Sequence, residues 1–434
     1  MKPAVQSLEI NPAGEPEANG LRSFLKVKNL RGHGADCDFP LVEHVSLIRG
    51  TFNILLFIQP GISIMKALVR QLFVLTGIAL LSCSATSPLV SQDVTKSILK
   101  GSDLKPLGRF AVRDGQLEMI GSAMHFGVAF EGTEITLITS TDPAPFGYLQ
   151  YELDGIYQRR VRVEQQAGSI KVTAPDSGTH TLWVYKATEA SSGPIFIREI
   201  QGQSLKVLEV PAKPLMEFIG NSITCGAAAD PSEIPCGAGS YHDQHNAYMA
   251  YGPRIARALN ANIMLTSVSG IGIYRNWNSD GPTMPQVFQF ADLKAGSSRA
   301  WNFATASPAV VSIALGTNDF SNGDGKNARL PFDSATFTRT YVDFVRTVRS
   351  KYPKSKIVLL NSPMVSGTRN EIFVACLYRV KRQIDASFPN DLPVSVFLFR
   401  AMKARGCGGH PNVEDHGIMA EQMIERYRQL LDDK

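Results

Sequence analysis

The 434-residue chain lacks several patterns that would point directly to a function. Its Lys and Arg residues exceed its Asp and Glu residues by only 44 − 39 = 5, and no basic run follows the pattern of a nucleic-acid surface. Its six cysteines include no Cys-x-x-Cys pair, which argues against a zinc ribbon or a redox motif. We therefore expect no nucleic-acid partner, no metal and no cofactor.

A short apolar run near the N-terminal end has the features of an export signal rather than of a membrane-spanning segment. Residues 65–83 have a basic start, an apolar stretch from Leu72 to Leu81, and a small residue before Cys83. The apolar stretch is too short to span a bilayer but suits a signal peptide, with a buried helix as the alternative. Its ending, LLSC, resembles the lipobox of bacterial lipoproteins.

That resemblance implies that Cys83 is lipidated and that the mature protein is anchored to a membrane of the bacterial cell envelope, in the periplasm or on the outer-membrane surface. We then expect translation to begin at Met65, so that residues 1–64 are an over-extended or disordered N-terminus.

The remaining chain divides by the period of its apolar residues. Residues 84–104 are predicted to be a tether, since they begin with a Ser- and Thr-rich stretch. Over residues 105–205 apolar and polar residues alternate in short runs, which turn pairs such as Asp114-Gly115 and Asp154-Gly155 separate. This pattern predicts an all-β sandwich or jelly roll.

Residues 212–434 have a different pattern, in which buried strands alternate with helices. This alternation predicts a doubly wound α/β domain with a parallel sheet, whose ligands bind at the carboxyl ends of the strands. The predicted strands are Leu215–Ile219, Ile263–Val268, Ala309–Leu315, Ile357–Leu360 and Val394–Phe399.

Four chemically useful groups follow these strands or precede the last helix. Ser222 lies in GNSIT, Gly270 in SVSG, Asn318 in GTND and His410 in GCGGHP. A hydroxyl nucleophile, an imidazole base and donors for an oxyanion are what acyl transfer needs. Each also has a simpler explanation as a helix cap, a turn residue or a surface histidine, and His416 is a rival for the base.

The four blocks resemble those of SGNH hydrolases, a subset of the GDSL esterase–lipase superfamily, with Asn221 in place of the usual Asp. The resemblance implies a three-layer, flavodoxin-like α/β domain. It also implies that Ser222 is the nucleophile and His410 the general base. The oxyanion hole would then consist of the backbone N–H groups of Ser222 and Gly270 and the side chain of Asn318.

A closer resemblance is to family 2 carbohydrate esterases, which share the preceding β-sandwich and the segments YRNW (274–277), GPTMP (281–285) and GTNDFS (316–321). It covers nearly everything from residue 105 to 434. It implies a serine-dependent esterase that needs no cofactor and removes acetyl groups from plant polysaccharides or oligosaccharides such as xylan and glucomannan.

One residue departs from the pattern of many SGNH enzymes, because Cys407 stands where an Asp would orient His410. We expect a backbone carbonyl between Cys407 and Gly409 to accept the Nδ1 proton instead. Asp415 is the alternative, although its place at the start of the last helix is already explained by the helix dipole. Asp319 is expected to be a structural partner of its loop.

Two disulfide pairings are considered for an oxidising compartment. Cys225 and Cys236 flank a Gly- and Pro-rich loop, and Cys376 with Cys407 is the second pair, which would help to hold the His410 loop.

The sequence also offers candidates for sugar binding and alternatives to the esterase. Trp277, Tyr274 and Trp301 are candidates for stacking on sugar rings, although aromatic residues are often core residues. His242 and His245 lack ligand spacing and are expected on a surface loop. The alternatives to the esterase are a non-catalytic surface carbohydrate-binding lipoprotein and an esterase that acts on other acetylated glycans.

Overall fold

The computed structural model describes residues 96–432 except residue 327. The predicted signal peptide, Cys83 and most of the predicted tether therefore lie outside the described residues. Within the described part of the chain, no helix is both long and apolar enough to cross a membrane.

The first domain is an antiparallel sheet of nine strands with the order β2-β3-β9-β4-β8-β5-β6, in which β1 also pairs with β9 and β7 with β4. Asp-Gly pairs with positive φ at both residues join β2 to β3 and β5 to β6, as tight hairpins require. The strands are β1 Lys96–Lys100, β2 Phe110–Arg113, β3 Gln116–Met119, β4 His125–Thr141, β5 Phe146–Leu153, β6 Ile156–Glu164, β7 Gly168–Thr173, β8 Thr179–Lys186 and β9 Ile195–Leu208.

Two long strands give this sheet its curvature. Strands β4 and β9 have 17 and 14 residues, and register shifts interrupt their pairing, so that both can bend. The sheet curls as a half-barrel around its own apolar core, which includes Leu117, Phe126, Phe130 and Leu182. The predicted all-β domain is thus present. The tether prediction is wrong for residues 96–104, because β1 pairs with β9 through backbone hydrogen bonds that the side-chain pattern does not reveal.

The second domain is built on a parallel five-stranded sheet of order β11-β10-β12-β13-β14. The first strand in sequence, β10, thus lies between the second and the third. The connections leave it in opposite directions and open a crevice at its carboxyl end. The strands are β10 Leu215–Gly220, β11 Asn262–Ser267, β12 Val310–Ala314, β13 Lys356–Leu360 and β14 Ser395–Phe397.

Helices cover both faces of this sheet and make the three layers. Because successive strand residues point to opposite faces, Phe218 belongs to the apolar cluster with α2 and α7, and Ile219 to the one with α5 and α6. The helices are α1 Ser222–Cys225, α2 Tyr251–Ala258, α3 Met284–Val287, α4 Thr317–Phe320, α5 Ser334–Lys351, α6 Gly367–Ser387 and α7 Val413–Asp432.

A buried guanidinium joins the two domains. Arg109 of the first domain donates to the backbone carbonyls of Phe288 and Phe290, at 2.8 and 2.9 Å, and lies 4.8 Å from the ring centre of Trp301. Trp301 is 8% exposed and packs in the cluster with Leu215. The proposed sugar-stacking role of Trp301 is therefore wrong, because its ring faces are covered by protein.

Candidate active site

The turn after β10 places Ser222 at the edge of the sheet. The strand ends at Gly220, where an added Cβ would overlap the side chain of Thr224, so only glycine allows this close turn. Asn221 then caps α1, because its Oδ1 accepts the N–H of Ile223 at 3.1 Å. An Asp side chain could make the same cap, so the local structure tolerates Asn at this position.

His410 meets the Ser222 hydroxyl from the loop before α7. Its Nε2 lies 3.0 Å from Ser222 Oγ, and its Nδ1 lies 3.3 Å from the carbonyl oxygen of Cys407. A proton on Nδ1 would be donated to this carbonyl, which leaves Nε2 free to accept the hydroxyl proton. Burial lowers the pKa of His410, so the ring is neutral at neutral pH and can act as a base.

The two alternatives, Asp415 as the group that orients the imidazole and His416 as the base, have other partners. Asp415 accepts from the Nε and backbone N–H of Arg405, at 2.7 and 2.8 Å, and from the backbone of Asn412. His416 is fully buried, accepts the N–H of Tyr251 at 3.3 Å, and stacks on the Tyr251 ring. Both residues thus hold the start of α7 in place.

Two further donors line the pocket that contains Ser222. Gly270 follows β11 with φ +76°, a conformation that favours glycine, and its N–H has no partner among the described residues. Asn318, in α4, donates one N–H of its side-chain amide to the carbonyl of Ile271 at 2.8 Å, which leaves the second one available. By contrast, the N–H of Gly272 already donates to Asn276 at 3.0 Å.

These donors, Ser222 and His410 surround one cavity of about 600 Å³. The arrangement offers a nucleophile, a neutral base and N–H donors in the lining of a single cavity, as acyl transfer to a hydroxyl requires.

Glu189, a residue of the half-barrel that sequence reasoning missed, supports this pocket from behind. Its Oε2 accepts the backbone N–H of Ser269 at 2.6 Å, directly before Gly270, and its Oε1 lies 3.5 Å from Nε2 of His245. Burial disfavours the charged carboxylate, but the hydrogen bonds from His245 and Ser269 outweigh it and lower the pKa of Glu189 to about 2. The sequence could not reveal this role of Glu189, because residue spacing does not indicate a contact between two domains.

Glu189 also belongs to a group of possible metal donors with His242 and His245, whose ligand atoms lie within 4.8 Å of one another. The surface-loop expectation is wrong for His245, which is fully buried, because this loop packs against the half-barrel. Zinc accepts such ligands. However, Nδ1 of His245 accepts the N–H of Ala228, so the proton lies on Nε2 and faces the carboxylate. In that form the ring donates to Glu189.

The aromatic candidates differ in where they lie. Trp277 is 45% exposed at the pocket, and its backbone N–H donates to the Gly270 carbonyl at 2.8 Å. Tyr274 instead packs edge-on against Phe332 and Phe337, outside the lining of this pocket. Of the three candidates, only Trp277 is placed where a bound sugar could contact it.

Tyr241 is a pocket residue that the sequence did not single out. Its ring centre lies 6.2 Å from that of His410, and its hydroxyl lies 3.1 Å from the Ser269 hydroxyl. Asp319, in contrast, lies below the pocket and accepts the backbone N–H groups of the 273–275 segment. That geometry is the structural role expected of it.

The disulfide joins Cys236 to Cys407, so both predicted pairings are wrong. Cys225 and Cys376 are free and buried. Cys225 faces Glu189 and Ser267 from α1, and Cys376 lies on the inner side of α6. Folding brings together cysteines that are 171 residues apart in sequence, and the bridge ties the loop after α1 to the residue whose carbonyl orients His410.

The fold and the site define an α/β acylhydrolase, and comparison with known proteins agrees. Residues 218–394 match the GDSL-like lipase/acylhydrolase family, and residues 107–211 match the carbohydrate esterase 2 N-terminal domain. A relative from Cellvibrio japonicus, named acetylxylan esterase / glucomannan deacetylase, is 25% identical over 376 residues, which cover 84% of this chain and 99% of the relative.

Two solved structures share the architecture. A family two carbohydrate esterase from Cellvibrio japonicus has a TM-score of 0.68 at 24% identity, and the match covers 78% of this chain and 98% of that one. One from Clostridium thermocellum, in complex with cellohexaose, has a TM-score of 0.66 at 28% identity, with 77% and 98% covered. The chain thus contains a GDSL-like acylhydrolase domain and a carbohydrate esterase 2 N-terminal domain, and it is similar to family 2 carbohydrate esterases.

Proposed function

We propose that the protein is a serine-dependent O-acetylesterase that removes acetyl groups from plant polysaccharides or oligosaccharides through an acetyl-enzyme. The observation that supports this most is the 3.0 Å contact between Ser222 Oγ and Nε2 of His410, in a pocket also lined by Gly270, whose N–H has no partner in the described part of the chain. The relative named acetylxylan esterase / glucomannan deacetylase favours acetylated xylan and glucomannan as substrates.

In the proposed reaction, Ser222 Oγ attacks the acetyl carbonyl carbon while His410 Nε2 takes the hydroxyl proton. The N–H groups of Ser222 and Gly270 and the Asn318 amide stabilise the oxyanion. Its collapse breaks the bond to the sugar oxygen, which receives the proton from His410. Water then attacks the acetyl-enzyme by the same route, and acetate leaves.

Acetate release from acetylated glucomannan and acetylated xylan tests this proposal. Ser222→Ala should lower turnover at least about 10⁴-fold, because Ser222 is the hydroxyl of the pocket lining that is hydrogen-bonded to the histidine base. Ser232→Ala, at an exposed serine in the following loop, is the control and should keep full activity.

A wild-type protein that is inert on both polymers and on a small aryl acetate would overturn the esterase proposal. It would favour a carbohydrate-binding protein without catalysis.

We also propose that Cys83 is lipidated and anchors the protein in the bacterial cell envelope. The support is the sequence of residues 65–83 alone. Mass spectrometry of the native protein tests this, and a mature form that retains residue 40 would contradict it.

A further inference from the structure

A second cavity, of about 760 Å³, lies beside the candidate active site, and arginines dominate its polar lining. Ser321 lines both cavities, so the two are neighbours. None of the described Asp and Glu residues lines the second cavity. We call it the arginine groove, after its residues Arg275, Arg329, Arg369 and Arg379.

The positive charges of the groove are not neutralised within the described part of the chain, where no carboxylate lies within ion-pair distance of any of the four. Arg369 bonds only to the carbonyl of Phe320 and the amide oxygen of Asn322, at 3.3 and 3.1 Å. Arg379 makes no hydrogen bond there and is exposed. Both guanidinium groups thus retain donors for a ligand.

Arg329 connects the groove to the active site. It donates to the carbonyl of Asn318 at 2.6 Å and to that of Trp277, while its Nε is buried without a partner. Burial and, after it, the positive charge of Arg275 lower the pKa of Arg329, partly offset by the buried carboxylate of Asp319. An anion in the groove would relieve this repulsion between like charges.

The shape of the groove argues for an extended ligand. Arg369, Ile372, Ala375 and Arg379 recur every three or four residues, so they lie on one face of α6. The two arginines are ten positions apart, which corresponds to about 15 Å along the helix axis. The lining thus extends over a length greater than that of one small anion. Phe320 and Phe332, stacked at 3.8 Å, add apolar surface to the same groove.

We propose that the arginine groove is a subsite for a carboxylate-bearing sugar, so that the enzyme acts preferentially on acetylated polysaccharides that contain uronic acids. Arginine suits carboxylates because its planar guanidinium can donate two parallel hydrogen bonds, and apolar side chains suit the faces of sugar rings. The inference rests on the proposed esterase function. A concave groove beside the reaction pocket favours a substrate chain over a flat anionic membrane surface.

The test compares acetylated glucuronoxylan with the same polymer after reduction of its carboxyl groups. The wild-type protein should have a kcat/KM about five- to tenfold higher on the acidic polymer, mainly through KM. High salt should remove this preference, because salt screens exposed charges.

Arg369→Gln and Arg379→Gln should each lower the ratio of the two kcat/KM values towards one. Arg382→Gln is the matched control, since Arg382 is exposed on the same helix but does not line the groove; it should keep the ratio. Equal kcat/KM values of the wild type on both polymers would overturn the inference. So would variants that weaken binding to anionic vesicles but keep the ratio.

Binding without turnover separates this inference from the proposed function. Ser222→Ala protein should be retarded more in gels that contain the acidic polymer than in gels with the reduced one, and Arg379→Gln in the same background should lose the difference. Retardation without esterase activity in the wild type would refute the esterase and keep the subsite. Activity with equal retardation would refute the subsite alone.

Discussion

The two domains contribute to the candidate active site in different ways. The α/β domain supplies Ser222, Gly270 and Asn318, each within four residues of the end of a parallel strand. The half-barrel lines no part of that pocket but places the Glu189 carboxylate against the N–H of Ser269, behind Gly270. The comparison separates residues that meet the substrate from a residue that positions them.

The two domains also differ in how their polar groups are compensated. The pocket residues keep unpaired donors, which a substrate can satisfy. Glu189 is 1% exposed, and a buried charge persists only when hydrogen bonds and opposite charges compensate its lost hydration. A change in either domain should therefore reduce kcat, but by different amounts and with different effects on the pH profile.

Asn318→Ala is expected to have the largest effect of the changes that test this comparison. It removes one oxyanion donor and should lower kcat about 10²- to 10³-fold, with little change in KM. Steady-state kinetics on an aryl acetate measure it. Asn318→Asp, which keeps the size but loses the N–H groups, should behave in the same way. A near-normal kcat in both variants would remove Asn318 from the oxyanion hole.

Substitutions of Glu189 should have a smaller effect and reveal a positioning role. Glu189→Ala frees the Ser269 N–H and should lower kcat about tenfold, whereas Glu189→Gln keeps an acceptor and should lose less.

The pH profile distinguishes this role from a merely structural one. Burial lowers the pKa of His410 and the Glu189 charge partly raises it again. Either variant removes that charge, so the pKa of His410 should fall further. Since the neutral ring is the base, the acidic limb of kcat/KM should move to lower pH. An unmoved limb would show that Glu189 does not act on His410.

Loss of the disulfide should mainly affect stability. Cys236→Ser should lower the free energy of unfolding by ~2–4 kcal/mol, measured by chemical denaturation. A modest loss of kcat should accompany it, because Cys407 holds the carbonyl that orients His410. Reductant should reproduce both effects in the wild type and add nothing in the variant. An additional effect of reductant on the variant would contradict this account.

The sequence was informative about features that depend on residues close together along the chain. The period of two predicts an all-β first domain, and the alternation of strands and helices predicts the α/β sheet. Since parallel strands end at one edge, the residues that follow them must gather there, which is why Ser222, Gly270 and Asn318 could be named in advance. The carbonyl that orients His410 lies three residues away, within the same loop.

Contacts between distant segments required the tertiary structure. Three contacts show this: the disulfide between Cys236 and Cys407, the hydrogen bond from Ser269 to Glu189, and the packing of Arg109 on Trp301. In each case the two residues share no period or spacing in the sequence. The arginine groove likewise combines α6 with the segments after β11 and β12. By itself the sequence determined the elements and the strand ends that hold the reacting groups. Only the packing of the elements decided which side chains met, because burial and pairing depend on neighbours that folding brings together.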